Sequence, residues 1–150
     1  MSKVGFVGLG IMGTPMAGHL LTGGHELFVY DLRQPAPALV DQGGRACASG
    51  REVAEQAGTV IVMVPDTPHV ASALFDPNGI AAGLSKGKIV VDMSSISPVE
   101  TKVFAQKINA LGCAYLDAPV SGGEVGAKAA SLTIMVGGPA EAFATVQPLF

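Results

Sequence analysis

Tryptophan is absent from this 150-residue chain, cysteine occurs only twice, and 14% of the residues are charged. About 25% would be usual for a soluble domain. With 49% hydrophobic residues, the shortage of charge excludes a disordered chain, which combines low hydrophobicity with high net charge. Nine Lys and Arg stand against twelve Asp and Glu, a net charge of −3 with a pI near 5.5. No basic run is present, so no nucleic acid and no anionic membrane surface is expected as a partner. Apolar runs such as Val60-Ile61-Val62-Met63-Val64 fall far short of the roughly 18 residues that span a bilayer. Met1-Ser2-Lys3 passes directly into Val4-Gly5-Phe6-Val7, which leaves no room for a signal peptide. Cys47 and Cys113 lie far apart without metal-type spacing. Reduced thiols, no metal site and a cytoplasmic location are the expectation.

Glycine, by contrast, is plentiful at 20 residues. It follows no fixed period, which excludes a collagen-like or low-complexity chain. Short β-branched runs alternate with longer helical patterns, the signature of a parallel sheet in an α/β domain. Strands are expected over 3–7, 26–30, 59–64, 88–92, 113–116 and 132–136. Helices are expected from Gly13 to about Leu21, over 35–41, from the Ser49 cap to about Gln56, and from Thr67-Pro68 through Leu74. A further helix should follow Ser97-Pro98, with Val99, Val103, Phe104, Ile108 and Leu111 on its apolar side. A last one should run from near Pro139 to about Phe150, and residues 118–130 read as a loop of small residues.

Gly8-Leu9-Gly10-Ile11-Met12-Gly13 fits G-x-G-x-x-G. Its context gives it weight: it follows a strand, opens a helix, and precedes Asp31 by 18 residues at the end of the second strand. Gly8 permits the tight turn, Gly10 lets a pyrophosphate come close to the backbone, and Gly13 lets helix and sheet pack tightly. The helix N-terminus offers N–H groups to the phosphates. Asp31 suits the two ribose hydroxyls of the adenosine half and repels a 2′-phosphate, which favours NAD over NADP. Arg33 is the one nearby group that could accept the extra phosphate.

Familiar dehydrogenase acids and bases are missing. Neither Tyr30 nor Tyr115 is followed four residues on by lysine, and two scattered cysteines cannot build a zinc site. His19 and His25 read as structural or exposed. His69 falls near the expected cofactor contacts but has no evident carboxylate partner, and Lys128 reads as a solvated lysine. No catalytic residue is assigned in this chain.

Two more segments, Asp92-Met93-Ser94-Ser95-Ile96-Ser97-Pro98 and Asp117-Ala118-Pro119-Val120-Ser121-Gly122-Gly123-Glu124, each follow an expected strand. Both should lie at the carboxyl edge of the sheet, where ligands bind in doubly wound folds. Ser121-Gly122-Gly123 could present a hydroxyl and successive backbone N–H groups to a carboxylate. With the glycine fingerprint and Leu132-Thr133-Ile134-Met135-Val136-Gly137-Gly138, these motifs resemble, in order and over the whole chain, the β-hydroxyacid dehydrogenase family. Ala130-Ser131 departs from the Gly-Thr pair usual there.

The resemblance implies a doubly wound, Rossmann-type α/β domain over residues 1–150, with a mostly parallel sheet. It implies cofactor contacts at Gly8, Leu9, Gly10, Ile11, Met12, Gly13, Asp31, Val64, Pro65 and Ser95, and substrate contacts at Ser121, Gly122 and Gly123. NAD is the implied cofactor, with NADP the alternative. A small carboxylated aldehyde or hydroxy acid is the implied substrate. The DMSSI form of the middle motif and Glu124 lean toward the tartronate semialdehyde reductase branch, which reduces 2-hydroxy-3-oxopropanoate to D-glycerate. The 3-hydroxyisobutyrate dehydrogenase branch is the runner-up, and a non-catalytic NAD-binding module is the rival of another class. Family members carry an all-helical second domain with the catalytic lysine. By the resemblance that lysine would lie beyond Phe150, and the full-length protein would be a homo-oligomer.

Overall fold

The computed structural model describes residues 2–32 and 37–150. Six strands, β1 (Lys3–Val7), β2 (Glu26–Tyr30), β3 (Arg45–Ala46), β4 (Thr59–Val62), β5 (Ile89–Asp92) and β6 (Ala114–Asp117), pair side by side, all parallel, in the order β3-β2-β1-β4-β5-β6. The order reverses between β1 and β4, the point at which a doubly wound sheet opens a crevice.

Alternate residues of each strand feed two separate cores, as the period of two demands. Val4, Phe6, Leu27, Val29, Ile61, Val91 and Leu116 share one face with Met16 and Leu20 of α1 (Gly13–Thr22), Leu39 of α2 (Pro37–Asp41), Ala127 of α7 (Gly123–Ala129) and Val146 of α8 (Ala140–Val146). Val7, Phe28, Val60, Val62, Val90 and Tyr115 share the other with α3 (Gly50–Gln56), α4 (Thr67–Phe75), α5 (Ile80–Gly83) and α6 (Pro98–Asn109). Burial on both faces accounts for the apolar strands and for the shortage of charge.

One of the expected caps forms: the Ser49 hydroxyl accepts the Glu52 N–H at 3.2 Å at the start of α3. At the start of α4 an unanticipated cap, the Asp66 carboxylate, accepts the Thr67 N–H at 2.7 Å. Ser97 precedes α6 without capping it through its side chain.

Several expectations are corrected. The strand expected over 59–64 ends at Val62, because the next free N–H, that of Val64, turns to a side chain. α6 buries Thr101, Phe104 and Ile108 and leaves Val99 70% and Val103 39% exposed, so its inner face is rotated from the one expected, and Leu111 lies past its end. Residues 118–130 are not a loop: β7 (Val120–Ser121) and α7 occupy most of them. The strand expected over 132–136 shrinks to β8 (Thr133–Ile134), which pairs antiparallel with β7 outside the main sheet. The last helix stops at Val146 and tightens into a 3-10 turn, Gln147–Leu149. β3 and α5 were not anticipated. Arg33 and the first residues of the helix expected over 35–41 lie outside the described residues.

Candidate functional site

The carboxyl ends of β1, β2, β4 and β5 open on one cleft of about 900 Å³. Gly8 leaves β1 with φ at 105°, its N–H on the Tyr30 carbonyl at 3.1 Å. A side chain there would overlap the Met63 carbonyl, and one at Gly13 would overlap the Gly8 carbonyl. The strand-to-helix turn is therefore closed to any larger residue at both positions. Gly10 differs: a Cβ added there meets nothing within 4 Å. Its backbone faces open cleft beside the first turn of α1, the geometry that lets a phosphate approach main-chain N–H groups.

Asp31, at the end of β2, lines the same cleft, and its carboxylate accepts the Leu9 N–H at 2.6 Å. This bond ties the glycine turn to the β2 side. Ile11, Met12, Val64, Pro65 and Ser95 also line the cleft, so nearly all the anticipated cofactor residues are brought together. Leu9 is the exception, its side chain buried in the core. Ser121, Gly122 and Gly123 stand apart from the cleft lining, exposed at the corner between β7 and α7, where φ is 133° at Gly122 and 57° at Gly123. Tyr30, Ser49, His69, Ser72 and Asn78 join the cleft wall. Of these, only His69 had been placed there from sequence.

Beneath the wall lies a polar group the motifs did not reveal. Asp92 and Ser94 are fully buried. The Tyr115 hydroxyl donates to Asp92 Oδ2 at 2.8 Å and the Ser94 N–H to Oδ1 at 3.0 Å. Ser94 Oγ accepts the Val64 N–H at 2.9 Å. Burial raises the Asp92 carboxyl above its ordinary range, and the hydrogen bonds from Tyr115 and Ser94 counter this only in part. Burial, followed by the charge of Asp92, pushes the Tyr115 phenol well above its usual value. Asp117, paired with Asp92 across the strands, is raised by its own burial.

Two of the other nucleophile and acid–base candidates are accounted for. Burial and then the charge of Glu52 push the Cys47 thiol up to about 11, so it stays protonated. Lys128 Nζ pairs with Glu124 at 2.8 Å on the open side of α7. Among the described residues no group of three or more His, Cys, Asp or Glu could hold a metal, and no helix is long and apolar enough to cross a membrane. The arrangement suits an elongated, twice-phosphorylated molecule laid across the β1–β4 reversal. Gly10 and α1 would face its phosphates, Asp31 a hydroxyl-bearing end, and Val64, Pro65 and Ser95 the other end.

Comparison with known proteins gives the family and the fold. A family described as the NAD binding domain of 6-phosphogluconate dehydrogenase matches residues 3–150. The 2-hydroxy-3-oxopropionate reductase of Escherichia coli (strain K12) is 52% identical over 148 residues, covering 99% of this chain and 51% of that protein. Among solved structures, Psf3 in complex with NADP+ and 2-OPP superposes with a TM-score of 0.92 at 32% identity, covering 97% of this chain and 52% of its own. The 3-hydroxyisobutyrate dehydrogenase of Salmonella typhimurium superposes with a TM-score of 0.90 at 36% identity, covering 97% and 51%. The chain thus spans about half the length of these relatives.

Proposed function

This chain belongs to the NAD binding domain family of 6-phosphogluconate dehydrogenase, within the β-hydroxyacid dehydrogenases, and on that premise we propose that it is the cofactor-binding domain of a 2-hydroxy-3-oxopropionate reductase. The observation that carries the reading is the cleft, with Gly10 open toward it between Asp31 and the Val64-Pro65-Ser95 wall. When bound, the reduced nicotinamide supplies a hydride to the substrate's aldehyde carbon, giving D-glycerate.

The chain's own residues hold and orient. Gly10 and the first turn of α1 receive the pyrophosphate, and Asp31 accepts from the ribose hydroxyls of the adenosine half. Val64, Pro65 and Ser95 flank the nicotinamide end. The Ser121 hydroxyl and the Gly122 and Gly123 amides receive the substrate carboxylate. The proton for the forming alkoxide comes from a lysine of a helical second domain, which is part of the same proposal, as is homo-oligomerisation of the whole enzyme. NADP is the alternative cofactor, supported by the NADP+ complex of Psf3. 3-Hydroxyisobutyrate is the alternative substrate, supported by the likeness to the Salmonella typhimurium enzyme.

Fluorescence titration of the chain with NADH and NADPH tests the cofactor reading. NADH should saturate at the lower concentration. Asp31→Ala should weaken NADH by about tenfold or more, the usual loss with a charged hydrogen-bond partner. Absence of saturable NADH binding overturns the reading. The substrate is tested on the protein that carries the second domain, where a wide preference for 3-hydroxyisobutyrate overturns the assignment.

A further inference from the structure

The ladder between β4 and β5 ends in an unusual way. Met93 N–H reaches the Val62 carbonyl at 2.8 Å, and Ala118 N–H the Asp92 carbonyl at 2.8 Å, so backbone pairing holds up to the strand ends. One step further, the Val64 N–H meets the Ser94 hydroxyl instead of a carbonyl. A side chain in that place lets the two backbones diverge while still joined, and the cleft wall begins where they part. Ser94 is itself pinned. Its N–H is on one oxygen of the Asp92 carboxylate at 3.0 Å, and the far oxygen is held by Tyr115 at 2.8 Å. All three side chains are buried. A buried carboxylate with every donor in place is a rigid anchor, because any movement would leave a charge-bearing oxygen unpaired.

We propose that Ser94, anchored by Asp92 and Tyr115, is a positioning residue for the nicotinamide half of the cleft. Its hydroxyl holds the Val64 N–H and so fixes the Met63-Val64-Pro65 segment opposite Ser95. The proposal rests on the NAD-binding reading above. It assigns a function to three residues that would touch no cofactor atom.

NADH and ADP-ribose, which lacks the nicotinamide, separate the two ideas when titrated against the wild-type chain, Ser94→Ala and Tyr115→Phe. Wild type should bind NADH more tightly than ADP-ribose. Ser94→Ala should weaken NADH roughly five- to tenfold, the scale of one lost hydrogen bond with its partner left unpaired. ADP-ribose affinity should stay unchanged, which also shows that the variant is folded. Tyr115→Phe, in which no group touching the wall is altered, should shift the same ratio by a smaller factor. The emission of bound NADH should move toward that of free NADH in both variants. If both ligands weaken together, or neither does, or wild type holds the two equally, Ser94 has only a structural role and the inference falls. Failure of wild type to bind either ligand would instead overturn the NAD-binding reading.

Discussion

The cleft and the β7–α7 corner are built to different standards. Around the cleft, each turn is locked through a main-chain N–H: Gly8 on the Tyr30 carbonyl, Leu9 on the Asp31 carboxylate, Val64 on the Ser94 hydroxyl, all at 3.1 Å or less. The corner rests on two strands of two residues and a seven-residue helix. It is fastened by His19 Nε2, 2.8 Å from the Ala127 carbonyl, and by an isolated bridge between Asp117 and Gly137. A carbonyl only accepts, so Nε2 carries the proton there. Val125 is 80% and Met135 53% exposed in this region, and Ile134, Val136 and Phe143 line an open groove. A dinucleotide gains orientation from a wall that stands by itself. A small carboxylate at an open corner gains little until water is excluded around it. The contrast fits the proposed division of labour, in which this domain holds the cofactor and a second one completes the substrate pocket.

The sharpest way to break that comparison is at Gly8. Alanine there combines a φ of 105° with an overlap against the Met63 carbonyl. We expect a loss of about 3 kcal/mol or more in urea unfolding, together with loss of NADH binding. A stable, binding-competent Gly8→Ala chain would show that the turn is not the rigid part.

Next in size is Tyr115→Phe, which leaves the buried Asp92 oxygen short of a donor and should cost about 2 kcal/mol at neutral pH. The sign of its pH dependence follows from the hydrogen bond, which lowers the Asp92 pKa and so favours the charged form. The deficit should shrink as Asp92 takes up its proton in acid. For the wild type, burial raises Asp92 and Asp117 above 3.8 in the folded state. The folded chain therefore binds more protons than the unfolded one just above that pH. Stability should fall as pH rises from there through the raised values. Asp92→Asn should flatten the slope, and unfolding curves between pH 3 and 8, an interval of roughly the width linkage requires, would reveal an unaltered slope if the carboxylate is not the cause.

How much was legible in advance differs between the same two regions. Gly8, Gly10, Gly13 and Asp31 announce themselves by local spacing, because a turn and the end of the next strand are fixed within a few tens of residues. Val64, Pro65 and Ser95 could be named only through the family resemblance, since nothing local marks them. Asp92, Ser94 and Tyr115 were invisible as a group. They meet only once β5 and β6 pair with Val90 beside Tyr115 and Asp92 beside Asp117. α7 was missed because Gly-Glu-Val-Gly-Ala-Lys-Ala has poor helix propensity. It forms against α1, where Ala127 is fully buried. β3 has two exposed residues and no pattern to read.

A gain, rather than a loss, is expected at the far end of α7. Ala130 caps it at φ 55°, the only left-handed non-glycine among the described residues. That conformation costs an L-residue about 1 kcal/mol, and the departure from glycine noted in the sequence falls on this very residue. Ala130→Gly should raise stability by nearly that amount, as a C-cap glycine does. No gain in the unfolding midpoint would mean that the corner is more tightly held than the comparison allows.

The smallest effect should come from Lys128, the lysine nearest the proposed carboxylate site in sequence. Its partner Glu124 lies one helical turn away, and the two side chains are 65% and 49% exposed. Water and salt screen such a pair, so Lys128→Ala should cost no more than about 0.5 kcal/mol. NADH affinity should not change, because α7 stands clear of the cleft lining. The value of the measurement is in the enzyme that carries the second domain. If Lys128 supplied the proton, its loss would lower kcat by orders of magnitude, whereas the ion pair on the open side of α7 predicts an almost unaltered kcat. A collapse in kcat with unchanged stability would move the acid into this domain and erase the division of labour between the two regions.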